Sequence, residues 1–305
     1  MADKTLNFEL NKKEENGISS GSKALSVTGN EMSKDEFDKM RDLIYNLSGI
    51  YFTENKKYLL ESRVSKRIKA NNMVSFSQYI YFLQTMYGRK ELDALFEAIT
   101  INETFFYRVP QQFEALENTI IPQLIKMKSH LPNPTIRIWS AATSTGEEAY
   151  TLAIIVLEKL KPLYPDVDFK IIGTDINNAV LELARRGIYK EYAVRNMPDS
   201  WFSKYFVKDS NKYYLKNEVK NMVEFRTINL YDSKAVQSIP PCDVIFCSNV
   251  LIYFDVPSKK KVISGLYKVL NKGGYLFVGY SESLHGISEA FRLVHLLKTM
   301  AYQKD

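Results

Sequence analysis

Histidine is nearly absent from this chain: His130, His285 and His295 are the only three in 305 residues, and each is isolated. A His-rich metal site or a serine-type triad therefore has no basis, and no metal is expected. Cysteine is as scarce. Cys242 and Cys247 share one apolar segment, whose strand conformation would hold them apart rather than bridge them, and this points to a reducing compartment. No apolar run reaches the roughly 18 residues that span a bilayer. The leading residues MADKTLNFELNKKEENG lack the hydrophobic stretch of a signal peptide. The expectations are a cytoplasmic location and no membrane insertion.

What is present is ordinary globular composition, 45% hydrophobic and 25% charged, over a length that predicts two domains. The formal charge of +6 and a pI near 8.9 favour an acidic partner surface without requiring nucleic acid.

Residues 1–33 are polar, with no sustained period, and read as a flexible N-terminal arm. From residue 34 to 100 the pattern is helical. In FDKMRDLIYNLSGI, Phe37, Met40, Leu43, Ile44 and Leu47 fall on one stripe with Ser33 at the cap, and KKYLLESRVSKRIKANN, SFSQYIYFLQTMYG and ELDALFEAITIN continue it. This predicts a small all-α domain. Residues 101–130 form a linker and connecting helix. Residues 131–305 then alternate short apolar strands (TIRIWS, DFKIIGTD, MVEFRTINL, CDVIFCSN, GGYLFVGYS) with helices beginning at Glu147, Asn177, after Leu230 and at Pro257. That alternation predicts an α/β domain with a mostly parallel sheet covered on both faces, and FRLVHLLKTMAYQ suits an antiparallel C-terminal hairpin on its edge. Residues of about 187–222 are too long for an ordinary connection and predict an inserted β-subdomain with a small hairpin. The apolar stripes are accounted for by two cores and no heptad seam remains, so a monomer is expected.

Ligands of such sheets bind beyond the carboxyl ends of the strands, near the point where strand order reverses. The first strand runs into SAATSTGEEAY, small residues that let a ligand approach the backbone; without a full G-x-G-x-x-G, a dinucleotide is disfavoured. The second ends in Gly173-Thr174-Asp175, an acid suited to ribose hydroxyls. The third ends in Asn229-Leu230, an amide suited to an adenine edge, and the fourth in Ser248-Asn249. Any one of these could be a helix cap or turn residue. Four successive strand ends together point to a ligand.

WSAATSTGEEAY, the TD at Asp175, the NL at Asn229, NVLIYF after Cys247, and NETFFYR from Asn102 to Arg108 resemble, in order and spacing, the motifs of the chemotaxis-receptor methyltransferase family, often called CheR. The resemblance covers residue 34 to the carboxyl end. It implies a Rossmann-like S-adenosyl-L-methionine (SAM)-dependent methyltransferase domain preceded by a helical docking domain. The activity it implies is esterification of glutamate γ-carboxylates on the cytoplasmic helices of transmembrane chemoreceptors, with S-adenosyl-L-homocysteine as product. Carried over, it implies that Asn102, Thr104, Arg108, Glu147, Asp175, Asn229, Leu230, Ser248 and Asn249 line the SAM pocket, Glu147 toward the amino group and Asp175 toward the ribose. Arg108 and Tyr253 would lie near the transferred methyl and are the catalytic candidates.

One departure stands out: the family's C-R-N is Cys247-Ser248-Asn249 here, and serine cannot give the charged, bidentate grip that guanidinium gives a carboxylate. A non-catalytic SAM-binding signalling module is the alternative this raises. A nucleic-acid methyltransferase is a lesser alternative, weakened by the lack of a D-P-P-Y-like motif after the fourth strand. Lys56, Lys57, Arg63, Lys66, Arg67 and Lys69 form a basic run that reads either as a solvated helix face or as a dock for an acidic substrate helix. The short segment VKDSNKYYLKNEV lacks a glycine-containing loop, so no tether to a receptor tail peptide is expected.

Overall fold

Ser33 sets the start of the first helix. In the computed structural model, which describes residues 31–305, the Ser33 hydroxyl accepts from the Glu36 N–H and the Glu36 carboxylate accepts from the Ser33 N–H, a reciprocal cap for α1 (Lys34–Ser48). Gly49, at φ 73°, ends that helix in the left-handed region. α2 (Lys57–Ala70), α3 (Phe76–Gln84) and α4 (Arg89–Ile99) follow, and their apolar stripes close one core around Phe37, Met40, Leu60, Tyr79 and Leu95. The segment assigned to a flexible arm lies outside the described residues up to residue 30. Met32 corrects its boundary: it is fully buried in this core with Phe37, at the two positions of a hydrophobic staple flanking the Ser33 cap.

A long helical stretch over residues 110–127 leads into the α/β part. Its strands are β1 (Thr135–Ser140), β2 (Asp168–Asp175), β6 (Val223–Thr227), β7 (Cys242–Cys247), β8 (Leu270–Val278), β9 (Phe291–His295) and β10 (Met300–Lys304), arranged β6-β2-β1-β7-β8-β10-β9. The first five are parallel; β10 runs antiparallel to both β8 and β9, as the C-terminal pattern predicted. Side chains alternate between two buried faces. Ile138, Val244, Phe246 and Phe277 pack under the helix Glu147–Ile155, whereas Trp139, Ile245, Cys247 and Leu276 pack under the helix Val256–Val269. The helices after β1 and β7 thus cover opposite faces, which opens a crevice at the carboxyl ends of those neighbouring strands.

The insertion is larger than a hairpin. β3 (Ile188–Tyr189), β4 (Phe206–Asp209) and β5 (Lys212–Leu215) form a three-stranded antiparallel sheet in the order β3-β5-β4. β3 was not foreseen because two residues carry no readable period. Cys242 and Cys247 are buried free thiols at opposite ends of β7.

Candidate functional site

The crevice beyond β1, β2, β6 and β7 is a cleft of about 1060 Å³, part of it open to solvent. Asn102, Thr104, Arg108, Asp175, Asn229, Leu230, Ser248, Asn249 and Tyr253 all line it. Ser48, Ile50 and Thr100, from the helical part, complete its wall.

Asp175 ends β2 almost fully buried. Its Oδ2 accepts from the Ser144 N–H (2.9 Å) and its Oδ1 from the Asn177 N–H (3.0 Å). Burial raises its pKa, and the backbone amides work against that rise. Each oxygen keeps a lone pair for a ligand hydroxyl. Ser144, at φ 52°, is held in place by that amide and by donating from Oγ to the Asn102 carbonyl (3.0 Å), which ties the NETFFYR segment to the loop after β1.

Glu147 is not among the lining residues; Glu148 is. Gly146, at φ 92°, starts the helix and sets its phase, so that successive residues face different neighbours. Glu147 turns inward, where its carboxylate accepts from Thr145 Oγ1 (2.6 Å). Glu148 faces the cleft floor and accepts from Ser140 Oγ (2.7 Å). Burial pushes both carboxyls up to about 7. Neither forms an ion pair among the described residues. Beside Glu148, Ser248 Oγ is buried without a well-formed hydrogen bond. An acid this poorly paired fits a ligand that brings its own positive charge.

Asn229 lines the cleft, but its side chain serves the fold: Nδ2 donates to the Leu47 carbonyl (2.7 Å) and Oδ1 accepts from the Tyr231 N–H (2.9 Å). One N–H of the amide expected to read an adenine edge is thereby taken up by the fold, and a lone pair remains on Oδ1. Arg108 donates from Nη1 to the Glu103 carbonyl (3.0 Å) with its guanidinium over the Phe105 ring. Tyr253 is half-buried, and burial raises its pKa.

Glu282 was not foreseen. Its Oε2 accepts from the N–H groups of Asn249 (2.9 Å) and Gly279 (2.6 Å), and its Oε1 from that of Ile252 (3.2 Å). This carboxylate holds Asn249 at φ 59°, an uncommon conformation for a residue with a side chain. A Cβ on residue 279 would sit 2.8 Å from the Asn249 nitrogen, so only glycine lets β8 end this close. The acid in GYSES at a strand end was the available signal.

The basic run of α2 divides. Arg67 pairs with Glu91 through Nε (2.7 Å) and Nη2 (2.8 Å), and Tyr79 also donates to that carboxylate (2.7 Å). Arg67 is thereby removed from the expected docking face: it neutralises a buried acid of α4. Arg63 donates to the Ile99 carbonyl. Lys56, Lys66 and Lys69 are exposed and Lys57 is partly so.

A switch-point cleft in which Glu148 lacks an ion-pair partner and Asp175 stands at a strand end, on a seven-stranded sheet with an antiparallel carboxyl-terminal pair, has the architecture of a nucleoside-binding α/β domain of the methyltransferase class. A family model described as the SAM-binding domain of CheR methyltransferases matches residues 102–300, and one described as their all-alpha domain matches residues 35–100. Chemotaxis protein methyltransferase 2 of Vibrio cholerae is 36% identical over 270 residues, covering 88% of this chain and 92% of that protein. The chemotaxis protein methyltransferase of Borreliella burgdorferi is 38% identical over 256 residues, covering 84% and 90%. The chain belongs to the CheR methyltransferase family. Its methyl donor is S-adenosylmethionine. No described helix is long and apolar enough to cross a membrane.

Proposed function

We propose that this chain transfers a methyl group from SAM to glutamate γ-carboxylates on the cytoplasmic helices of chemoreceptors, acting in the cytoplasm as a monomer. The relatives in Vibrio cholerae and Borreliella burgdorferi carry the name chemotaxis protein methyltransferase, which supports that acceptor class. The observation that carries the reading is the cleft, where Glu148 and Asp175 meet at the ends of β1 and β2 with Tyr253 and Arg108 close by.

Glu148 would hold the amino group, and Asp175 the ribose hydroxyls. Asn102, Thr104, Leu230 and Asn249 would shape the remaining walls, and Asn229 would keep α1 closed over them. When bound, SAM would supply an electrophilic methyl carbon to the acceptor oxygen, with its sulfur as the leaving group that keeps the bonding pair. A γ-carboxylate is ionised near neutral pH, so no general base is needed, in keeping with a cleft that no histidine lines. The protein's task is orientation and exclusion of water. Arg108 would steer the acceptor, Tyr253 would wall it, and the exposed lysines of α2 would meet an acidic substrate helix.

The test is transfer of labelled methyl from SAM to receptor-containing membranes, scored as methanol released by mild base. Base-labile label that falls at least about 10-fold in Arg108→Ala is the expected result. No incorporation across several receptors, with SAM binding intact, would sink the enzyme reading and leave a SAM-binding module.

A further inference from the structure

None of residues 187–222, the inserted subdomain, lines the SAM cleft. The subdomain nevertheless grips the segment that does. Glu103, Thr104, Phe105 and Arg108 belong to the cleft wall. Between them, the Phe106 N–H donates to the Ala193 carbonyl (2.8 Å), and the Phe106 ring is fully buried edge-on against Tyr189 (4.8 Å) and Phe206 (5.2 Å). Tyr107 follows at φ 58°, an uncommon conformation for a bulky residue, with its ring edge-on to Trp201. The backbone turns here, so that Phe106 is buried in the subdomain while Arg108 lines the cleft.

We propose that Tyr192 and Arg195, in and just after the short helix Glu191–Val194, are positioning residues for Arg108, so that the subdomain sets the geometry of the acceptor site without touching it. The inference deepens the glutamate-esterification reading and rests on the acceptor-steering role given to Arg108.

Two routes lead from this pair to Arg108. In the first, the Arg195 guanidinium carbon lies 3.6 Å from the ring centres of both Phe105 and Tyr192, which meet edge-on, and Arg195 Nη1 donates to the Tyr192 carbonyl. Phe105 also carries Arg108, at 5.5 Å. Arg195 holds the nearer place, and its like charge opposes any slide of Arg108 further onto the ring. In the second, the Tyr192 hydroxyl donates to the Glu103 carboxylate (2.5 Å), while the carbonyl of the same residue accepts from Arg108 Nη1 (3.0 Å). Glu103 is thus held by Tyr192 at its side chain and holds Arg108 at its backbone. Tyr192 and Arg195 are both exposed, so burial does not account for the arrangement.

The chemistry favours this way of holding a cation. A guanidinium that steers a carboxylate must be fixed in direction without being neutralised. An ion pair to a protein carboxylate would compete with the acceptor, whereas a carbonyl, a ring and a neighbouring cation fix Arg108 and leave its charge for the acceptor.

The experiment measures kcat and KM for receptor-containing membranes, and SAM affinity by calorimetry, in Arg195→Ala, Arg195→Lys and Tyr192→Phe, each made in the parent and again in Arg108→Ala. In the parent, Arg195→Ala is expected to lower kcat about 10-fold with SAM affinity within about 3-fold, the signature of lost orientation rather than lost cofactor binding. Arg195→Lys keeps a cation against the two rings and should lose no more than about 3-fold. Tyr192→Phe keeps the ring, removes only the bond to Glu103, and should cost about 3-fold even if Arg195→Ala does not fold. In Arg108→Ala none of the three should change the residual rate by more than about 2-fold, because a residue that acts through Arg108 has nothing left to act on. Parental kcat in Arg195→Ala and Tyr192→Phe, or the same fold-loss in both backgrounds, would overturn the positioning role. Parental kcat in Arg108→Ala, or no base-labile ester from the parent, would instead overturn the reading on which it rests.

Discussion

Glu147 and Glu148 are neighbours in the chain, begin the same helix and have carboxyls raised to the same value, about 7, yet they do different work. Glu148 faces the cleft; Glu147 faces only protein. Burial without a cation makes Glu147 a cost to the folded state once it ionises. The folded state holds this proton up to about pH 7, whereas the unfolded chain releases it near the ordinary value of 4.5. Stability from this group is therefore fully present below pH 4.5 and is lost as the pH rises through 7. Glu147→Gln should match the parent's melting temperature near pH 4.5 and exceed it at pH 8 by the equivalent of roughly 1–3 kcal/mol. A pH-independent difference in melting temperature would show that this carboxyl does not titrate as its burial implies. Which of the two acids enters the cleft was not legible in the sequence, because it depends on the helix phase that Gly146 sets. Asp175 and Asn249 were legible, because each is the polar residue at the end of an apolar strand.

At the scale of elements, the loop after β7 is shaped from outside itself. Glu282 reaches it from beyond β8 and takes three backbone N–H groups, so the conformation of Asn249 is bought by a residue 33 positions away. Glu282→Ala would leave those donors without their acceptor and free Asn249 from φ 59°. Losing charge-assisted bonds worth about 1.5–3 kcal/mol each should weaken SAM binding by at least about 10-fold, with the far-ultraviolet circular dichroism unchanged. Undiminished affinity would mean the loop keeps its shape unaided. Such a role escapes sequence reading, since periodicity reports which residues share an element and not which carboxylate caps a distant loop. The same limit hid the Arg67–Glu91 pair: a charged run looks solvated until a partner 24 residues on folds against it. The sheet strands were visible as short apolar runs, and the helices as the longer segments that separate them.

For the whole molecule, the helical part and the α/β part meet at the cleft. Ile50 bridges to Phe254, the Tyr51 N–H donates to the Tyr253 carbonyl (3.0 Å), Asn229 donates to Leu47, and Tyr45 donates to Asp255 (3.2 Å). Residues on both sides of this seam line the SAM cleft. One cooperative melting transition is expected by calorimetry, shifted up as a whole by roughly 5 °C at 100-fold SAM over its dissociation constant. Two transitions, with only one responding to SAM, would show that the parts fold independently. The two-part organisation itself was legible, as a change of period near residue 100. The seam was not, because its bonds are made by backbone groups of loops that carry no pattern.

That seam also constrains modular exchange. A helical part transplanted from a relative would arrive with its own version of the loop after α1, and with it a foreign wall for the cleft. Whatever the exchange was meant to alter, affinity for the methyl donor would change with it, unless residues 47–51 travel with residues 251–255 as a single inherited cassette.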